Sequence, residues 1–237
     1  MKLKIEPDSS GCARCAASLV SAAICSAIAD RGVAVVVLAG GNTPASAYRL
    51  LAQLEIDWSN VILIPGDERC VPSGDPDANQ TMIRRELIDR LDPAALPRYL
   101  GPPLGLAPKE AALAWQQELS ELGESLSGGL GIDIALLGLG EDCHTASLFP
   151  NSPQLKATGL AAPVKNAPKP PPGRVTLTLE FLGSARERVL LAVGAGKSSA
   201  VTELFSGSRS EQFPASLLPD QSTTLLCDQA AAAQLTA

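Results

Sequence analysis

The sequence predicts an α/β fold: a mainly parallel, doubly wound sheet flanked by helices. Three observations predict it. Short runs of consecutive Val, Leu and Ile alternate with longer stretches of helical character. Most of these runs end in a glycine or a polar loop, as a buried strand does where it leaves a sheet. Hydrophobic residues make up 46% of the chain but aromatics only 3%, which favours an aliphatic helix-on-sheet core over an aromatic-rich sandwich.

The elements follow in order. Residues 12–29 read as a helix, with Ser9 or Ser10 as N-cap and Gly32 beyond its end. Val33 to Leu38 is a β-branched run suited to a strand buried on both faces. It ends at Gly40-Gly41, and Pro44 fits the first turn of a helix reaching about Leu54. Val61 to Ile64 is a second buried strand, ending in PGDER. Helices are expected over 76–91 and near 108–126, the latter closed by Gly128-Gly129. Residues 132–138 form a third buried strand leading into the polar loop LGEDCHTASLFP. Lys165 to Gly173 is rich in proline and must be a loop. Val175 to Leu179 alternates Thr with apolar residues, the pattern of a half-exposed or edge strand. Val189 to Val193 is again a buried strand, followed by GAGK and a helix near 198–205, with a last strand near 223–227. No repeat or linker divides the 237 residues, so the chain 1–237 is expected to be a single domain.

Charge and composition exclude several classes. A net charge of −6 repels a phosphate backbone, so nucleic acid is not an expected partner. No run of 18 uncharged apolar residues occurs, and Glu6, Pro7, Asp8 and Arg14 interrupt the N-terminal region where a signal segment would lie. A cytoplasmic location, no membrane partner and a monomeric state are the expectations. Cys12 and Cys15 have CxxC spacing, but Cys25, Cys70, Cys143 and Cys227 are scattered and no second such pair exists. They read as small residues packed in a reducing compartment, not as a zinc or redox site.

Four polar clusters carry candidate chemistry. Gly40, Gly41, Asn42 and Thr43 precede a helix and could cradle a phosphate, although a Gly-Gly pair also makes an ordinary tight turn. Neither standard nucleotide-binding glycine pattern is present. Asp67, Glu68 and Arg69 follow a strand. Carboxylates there can hold a guanidinium beside an anion, or the triplet can be a solvated loop. Glu141 and Asp142 lie beside His144, the single histidine of the chain, where a general base near neutral pKa would be placed. Ser147 is set aside as a nucleophile because no GxSxG elbow occurs. Arg174 and Lys197 are unremarkable singly and gain meaning only by converging with the glycine loop. In doubly wound sheets, ligands bind beyond the carboxyl ends of the strands, where all these clusters lie.

Taken in order, AGGNTPASAYRLLA, VILIPGDERCVPSGDPDANQ, IDIALLGLGEDCHTASLFP, APKPPPGRVTLTL, VGAGK and FPASLL resemble the 6-phosphogluconolactonase family over about residues 33–218. The resemblance implies hydrolysis of 6-phospho-D-glucono-1,5-lactone, a sugar-phosphate lactone, to 6-phosphogluconate in the oxidative pentose phosphate pathway. It implies a fold like that of the glucosamine-6-phosphate isomerase and ribose-5-phosphate isomerase group, with no cofactor. That no metal is expected follows instead from the residues, one histidine with no ligand partner at standard spacing. By the resemblance His144 is the base, and Asp142 or Glu141 orients it. Arg69, held by Asp67 or Glu68, lies at the lactone end. Gly40, Gly41, Asn42, Thr43, Arg174 and Lys197 hold the 6-phosphate.

Two positions depart from the family pattern. Cys143 stands where glycine usually precedes the histidine; if that position requires positive φ, the side chain costs on the order of 1–3 kcal/mol. Asn42 replaces the commoner serine, and an amide can also donate to phosphate. The nearest rival is a glucosamine-6-phosphate deaminase of the same fold, against which GDER and HTASLF favour the lactonase. A sugar-phosphate sensor without catalysis would need a DNA-binding domain, for which the stretch before Val33 is too short.

Overall fold

The protein is described by a computed structural model covering residues 1–235. The chain alternates strand and helix. It runs β1 (Lys2–Glu6), α1 (Ser9–Arg31), β2 (Ala34–Leu38), α2 (Ala45–Leu51), β3 (Val61–Pro65), β4 (Asp67–Arg69), α3 (Asn79–Glu86) and β5 (Arg98–Tyr99). It continues through α4 (Pro108–Ser125), β6 (Ile134–Gly138), β7 (Ala161–Val164), β8 (Arg174–Leu177), α5 (Leu179–Gly183), β9 (Glu187–Ala192), α6 (Ser198–Ser206) and β10 (Thr223–Asp228). Seven strands form one sheet in the order β1-β10-β9-β6-β2-β3-β5, and every neighbouring pair in it is parallel. Three short strands, β4-β8-β7, form a second, antiparallel sheet.

Both faces of the large sheet are covered, which is why its central strands are continuous apolar runs. In β2, Val35 and Val37 point into one core with Trp115 and Leu119 of α4, Val175 of β8 and Val201 of α6. Val36 and Leu38 point to the opposite core with Val20 and Ile24 of α1, Tyr48 of α2 and Ile83 of α3. By length and apolar composition, α1 is the one helix among the described residues that could cross a membrane. Its buried stripe, Ala16, Val20, Ile24 and Ala27, instead lies in the same core as the sheet strands.

Several expectations are corrected. The cap of α1 is Asp8, not Ser9 or Ser10: its Oδ1 accepts from Gly11 N at 2.8 Å. Asp8→Ala is expected to lower stability by about 1 kcal/mol in a denaturant titration; an unchanged midpoint would remove the cap from the account. The helix expected to reach Leu54 stops at Leu51, and the one expected over 76–91 is α3 followed by a short 3-10 turn at Ile88–Arg90. The strand read as half-exposed or edge is β8, which is buried at all four positions and central in its sheet. Its Thr176 is fully buried, donating to Leu177 O at 3.0 Å, so the polar alternation does not mark a solvent face. Of the six cysteines Cys12, Cys143 and Cys227 are buried, while Cys25 is exposed on α1.

Candidate active site

The site sits where the sheet changes direction. From β2 the chain builds outward to β3 and β5, and from β6 it builds the other way to β9 and β10. Adjacent β2 and β6 therefore send their following loops to opposite faces, leaving a crevice between them. Into it open the glycine loop after β2, Gly66 after β3, the histidine loop after β6 and the GAGK turn after β9. The resulting cleft, of about 300 Å³, is walled by Gly40, Gly41, Arg69, His144, Arg174 and Lys197, among others.

Gly40 is needed because Asn79 occupies the space beside it: a Cβ there would lie 1.9 Å from Asn79 Oδ1. The Asn79 amide in turn donates to Asp67 O at 2.7 Å and to Asp67 Oδ1 at 3.1 Å. Asp67 is buried, and its Oδ2 also accepts from Ser147 Oγ at 2.5 Å and lies 3.7 Å from Arg174 Nη1. One carboxylate thus ties together segments distant in sequence.

Asp67 therefore contacts Arg174, not Arg69 as expected. Glu68 does not hold Arg69's side chain either. It is 1% exposed and accepts at 2.7 Å from the backbone N–H groups of Arg69, Asn79 and Gln80. It serves as an anionic cap on the first turn of α3. Burial pushes its carboxyl up to about 7, against the pull of those three donors. Arg69 itself donates from Nη1 to Asp77 O at 2.8 Å, while its buried Nε has no partner among the described residues.

The histidine loop turns tightly, with Gly140 N donating to His144 O at 2.8 Å and Cys143 N to Gly140 O at 3.1 Å. Cys143 has φ of +61° and is 1% exposed, with Sγ 3.5 Å from Ala200 O. The position does take the left-handed conformation that glycine adopts without strain, and a buried thiol occupies it instead. The turn brings Asp142 Oδ1 into a short contact with His144 Nδ1. A Cβ on Gly140 would fall 2.0 Å from that nitrogen, so the pair fits only over glycine. Burial alone raises the Asp142 carboxyl, but the hydrogen bond and charge of His144 outweigh it and hold the group below its ordinary value. Of the two carboxylates left open by the sequence, Asp142 is the one on the imidazole. Phe149 packs on the other side, its ring centroid 4.8 Å from that of His144.

Glu141 lies elsewhere, its Oε1 3.4 Å from the place of a Cβ on Gly196, where its charge acts on Lys197. Asn42 and Thr43 are exposed beyond Gly41 and do not wall the cleft. Arg174 does line it, but its donors are engaged by the protein: Nε by Pro171 O at 3.0 Å, Nη2 by Lys169 O at 2.8 Å, and Nη1 by Ser147 Oγ at 3.4 Å. The guanidinium also lies over Phe149, 5.7 Å from the ring centroid. Reading the residues singly missed Asn79, Phe149 and Lys169. Asn79 and Lys169 carried only a weak signal: an amide opening a helix, and a cation just upstream of Arg174 in a Pro-rich loop.

A carboxylate bound at Nδ1 fixes the proton there and leaves Nε2 as a base. The cleft therefore joins a base to guanidinium and ammonium groups, an arrangement able to activate water against an anionic substrate. Among the described residues, no cluster of three or more His, Cys, Asp or Glu is placed to hold a metal ion.

Comparison with known proteins places the chain in a family. A family model described as glucosamine-6-phosphate isomerases/6-phosphogluconolactonase matches residues 7–227. A 6-phosphogluconolactonase of Streptomyces coelicolor is 39% identical over 246 aligned positions, covering 99% of this chain and 94% of that protein. The corresponding enzyme of Mycobacterium tuberculosis is 36% identical, with 98% of each chain covered. Among solved structures, a 6-phosphogluconolactonase from Shewanella baltica superposes with a TM-score of 0.85 at 24% identity, over 96% of this chain and 97% of that one. A monomeric glucosamine-6-phosphate deaminase gives 0.80 at 25% identity, over 98% and 99%. Matched along nearly its whole length in sequence and in fold, the chain belongs to the glucosamine-6-phosphate isomerase/6-phosphogluconolactonase family.

Proposed function

We propose that this protein hydrolyses 6-phospho-D-glucono-1,5-lactone to 6-phospho-D-gluconate, the lactone-opening step of the oxidative pentose phosphate pathway, by general-base activation of water. The observation that carries the reading is the His144 imidazole, backed at Nδ1 by Asp142 and sharing one cleft with Arg69 and Lys197.

A lactone is an activated ester and needs no covalent intermediate. His144 Nε2 takes a proton as water attacks C1, and negative charge develops on the former carbonyl oxygen. Arg69, which walls the cleft, offers its guanidinium to that oxyanion. Collapse of the tetrahedral species breaks the bond from C1 to the ring oxygen, which takes the proton back from His144. The new carboxylic acid then ionises, releasing one proton to solvent. The phosphate anchors the far end of the sugar and supplies binding energy without taking part in the chemistry.

Acid release from freshly generated lactone, corrected for spontaneous hydrolysis and compared with the unphosphorylated lactone, tests the reading. Ammonia release from glucosamine 6-phosphate without lactone opening would overturn it in favour of the deaminase. Lys197→Ala is expected to raise KM roughly 10–100-fold with kcat nearly unchanged, as for loss of a charge-assisted contact made equally in ground and transition states. A fall in kcat alone would count against a phosphate-holding Lys197.

A further inference from the structure

Lys169 belongs to none of the clusters that single-residue reading picks out, yet it walls the same cleft as Lys197 and His144. It sits in the Pro-rich loop that Arg174 fastens. Arg174 is 5% exposed and holds three successive carbonyls: Lys169 at 2.8 Å, Pro170 at 3.4 Å and Pro171 at 3.0 Å. A buried guanidinium, backed by Asp67, thus fixes the backbone that carries an exposed lysine. Lys197 is anchored from the other side. Gly194, which opens its turn at φ +92°, donates its N–H to both oxygens of buried Asp228 at 3.0 and 3.1 Å.

Two flexible ammonium side chains therefore rise from backbones that are each pinned by a buried charge. Neither has an ion pair among the described residues within 4.0 Å. They also feel one another. Burial lowers the Lys197 ammonium below its ordinary value, Glu141 draws it back, and the Lys169 charge lowers it again. Two like charges facing one cleft are unfavourable until an anion lies between them.

We infer that Lys169 is a specificity-determining residue, forming with Lys197 a two-ammonium seat that selects the doubly charged 6-phosphate of the substrate. The inference rests on the reaction proposed above. Its physical basis is charge number. A phosphate monoester carries close to two negative charges above its second pKa of about 6, and two separately anchored cations match that dianion better than one. Arg174 supports the seat as a positioning residue through the loop it holds.

The test uses the full chain with Lys169→Ala and Lys169→Arg. Lys169 is exposed, so both variants are expected to fold as the parent does. Lys169→Ala should raise KM for the phosphorylated lactone about tenfold and leave kcat within about twofold. Its kcat/KM on unphosphorylated gluconolactone should not change, and Lys169→Arg should recover part of the loss. An equal fall on both lactones would make Lys169 merely a structural part of the loop. An unchanged KM would remove it from the site. Calorimetric titration with 6-phosphogluconate separates failure of this inference from failure of the proposed reaction, because it needs no turnover. A roughly tenfold weaker affinity in Lys169→Ala supports the seat even if the parent opens no lactone; an unchanged affinity overturns it.

Discussion

Replacing His144 by alanine should remove about 10²- to 10⁴-fold of turnover while affinity for 6-phosphogluconate stays within a few-fold of the parent. The split follows from the geometry. The imidazole is engaged by Asp142 and Phe149, while the cationic groups of the cleft are held by other loops. Its loss leaves those anchors in place and removes only the group that takes the proton from water. The residual rate comes from substrate fixation and from charge placed near the oxyanion. Rates must be corrected for uncatalysed hydrolysis, because the lactone opens by itself. Turnover equal to the parent's would take His144 out of the mechanism. A large loss of product affinity would instead mean that the imidazole holds the loop together.

The second large effect concerns stability. Asp67→Ala should destabilise the protein by about 3–5 kcal/mol, since removing one partner leaves a buried charge uncompensated. The side chains of Asp67 and Arg174 are 9% and 6% exposed, so water cannot readily take the carboxylate's place. The same substitution strands the Ser147 hydroxyl and weakens the hold on the Asn79 amide. In a chain of this size each kcal/mol lowers Tm by roughly 2–4 °C, so a fall of about 6–20 °C is expected in calorimetry. Asp67→Asn keeps an acceptor for Ser147 and should fall between the two. A shift under about 2 °C for Asp67→Ala would show that Asp67 is not the hub of the site.

The parallel sheet was legible because its central strands are buried on both faces. Ala34 to Leu38, Val61 to Ile64 and Ile134 to Leu137 need no partner to be recognised. Strand β1 was not, since Lys2, Lys4 and Glu6 make an edge that pairs only with β10 and reads as polar chain. β8 was misjudged as an edge because the hydroxyl of Thr176 is satisfied inside the protein, a fact no alternation pattern reports.

The candidate site divides along the same line. By itself the sequence determined which residue types were available and that their loops follow strands: a single histidine among carboxylates, a glycine pair, an arginine after β3 and a lysine after β9. The family resemblance, not the residues alone, marked Cys143 as out of pattern, and the backbone there does adopt positive φ. Only the tertiary structure decided who serves whom. It put Asp142 and not Glu141 on the imidazole, turned Glu68 into a helix cap, and gave Asp67 to Arg174. It also brought Lys169 to the cleft beside Lys197. The reason is physical. Burial and periodicity act over neighbouring residues and leave a local trace, whereas the pairing of a buried charge depends on which distant loop the closed sheet places within reach.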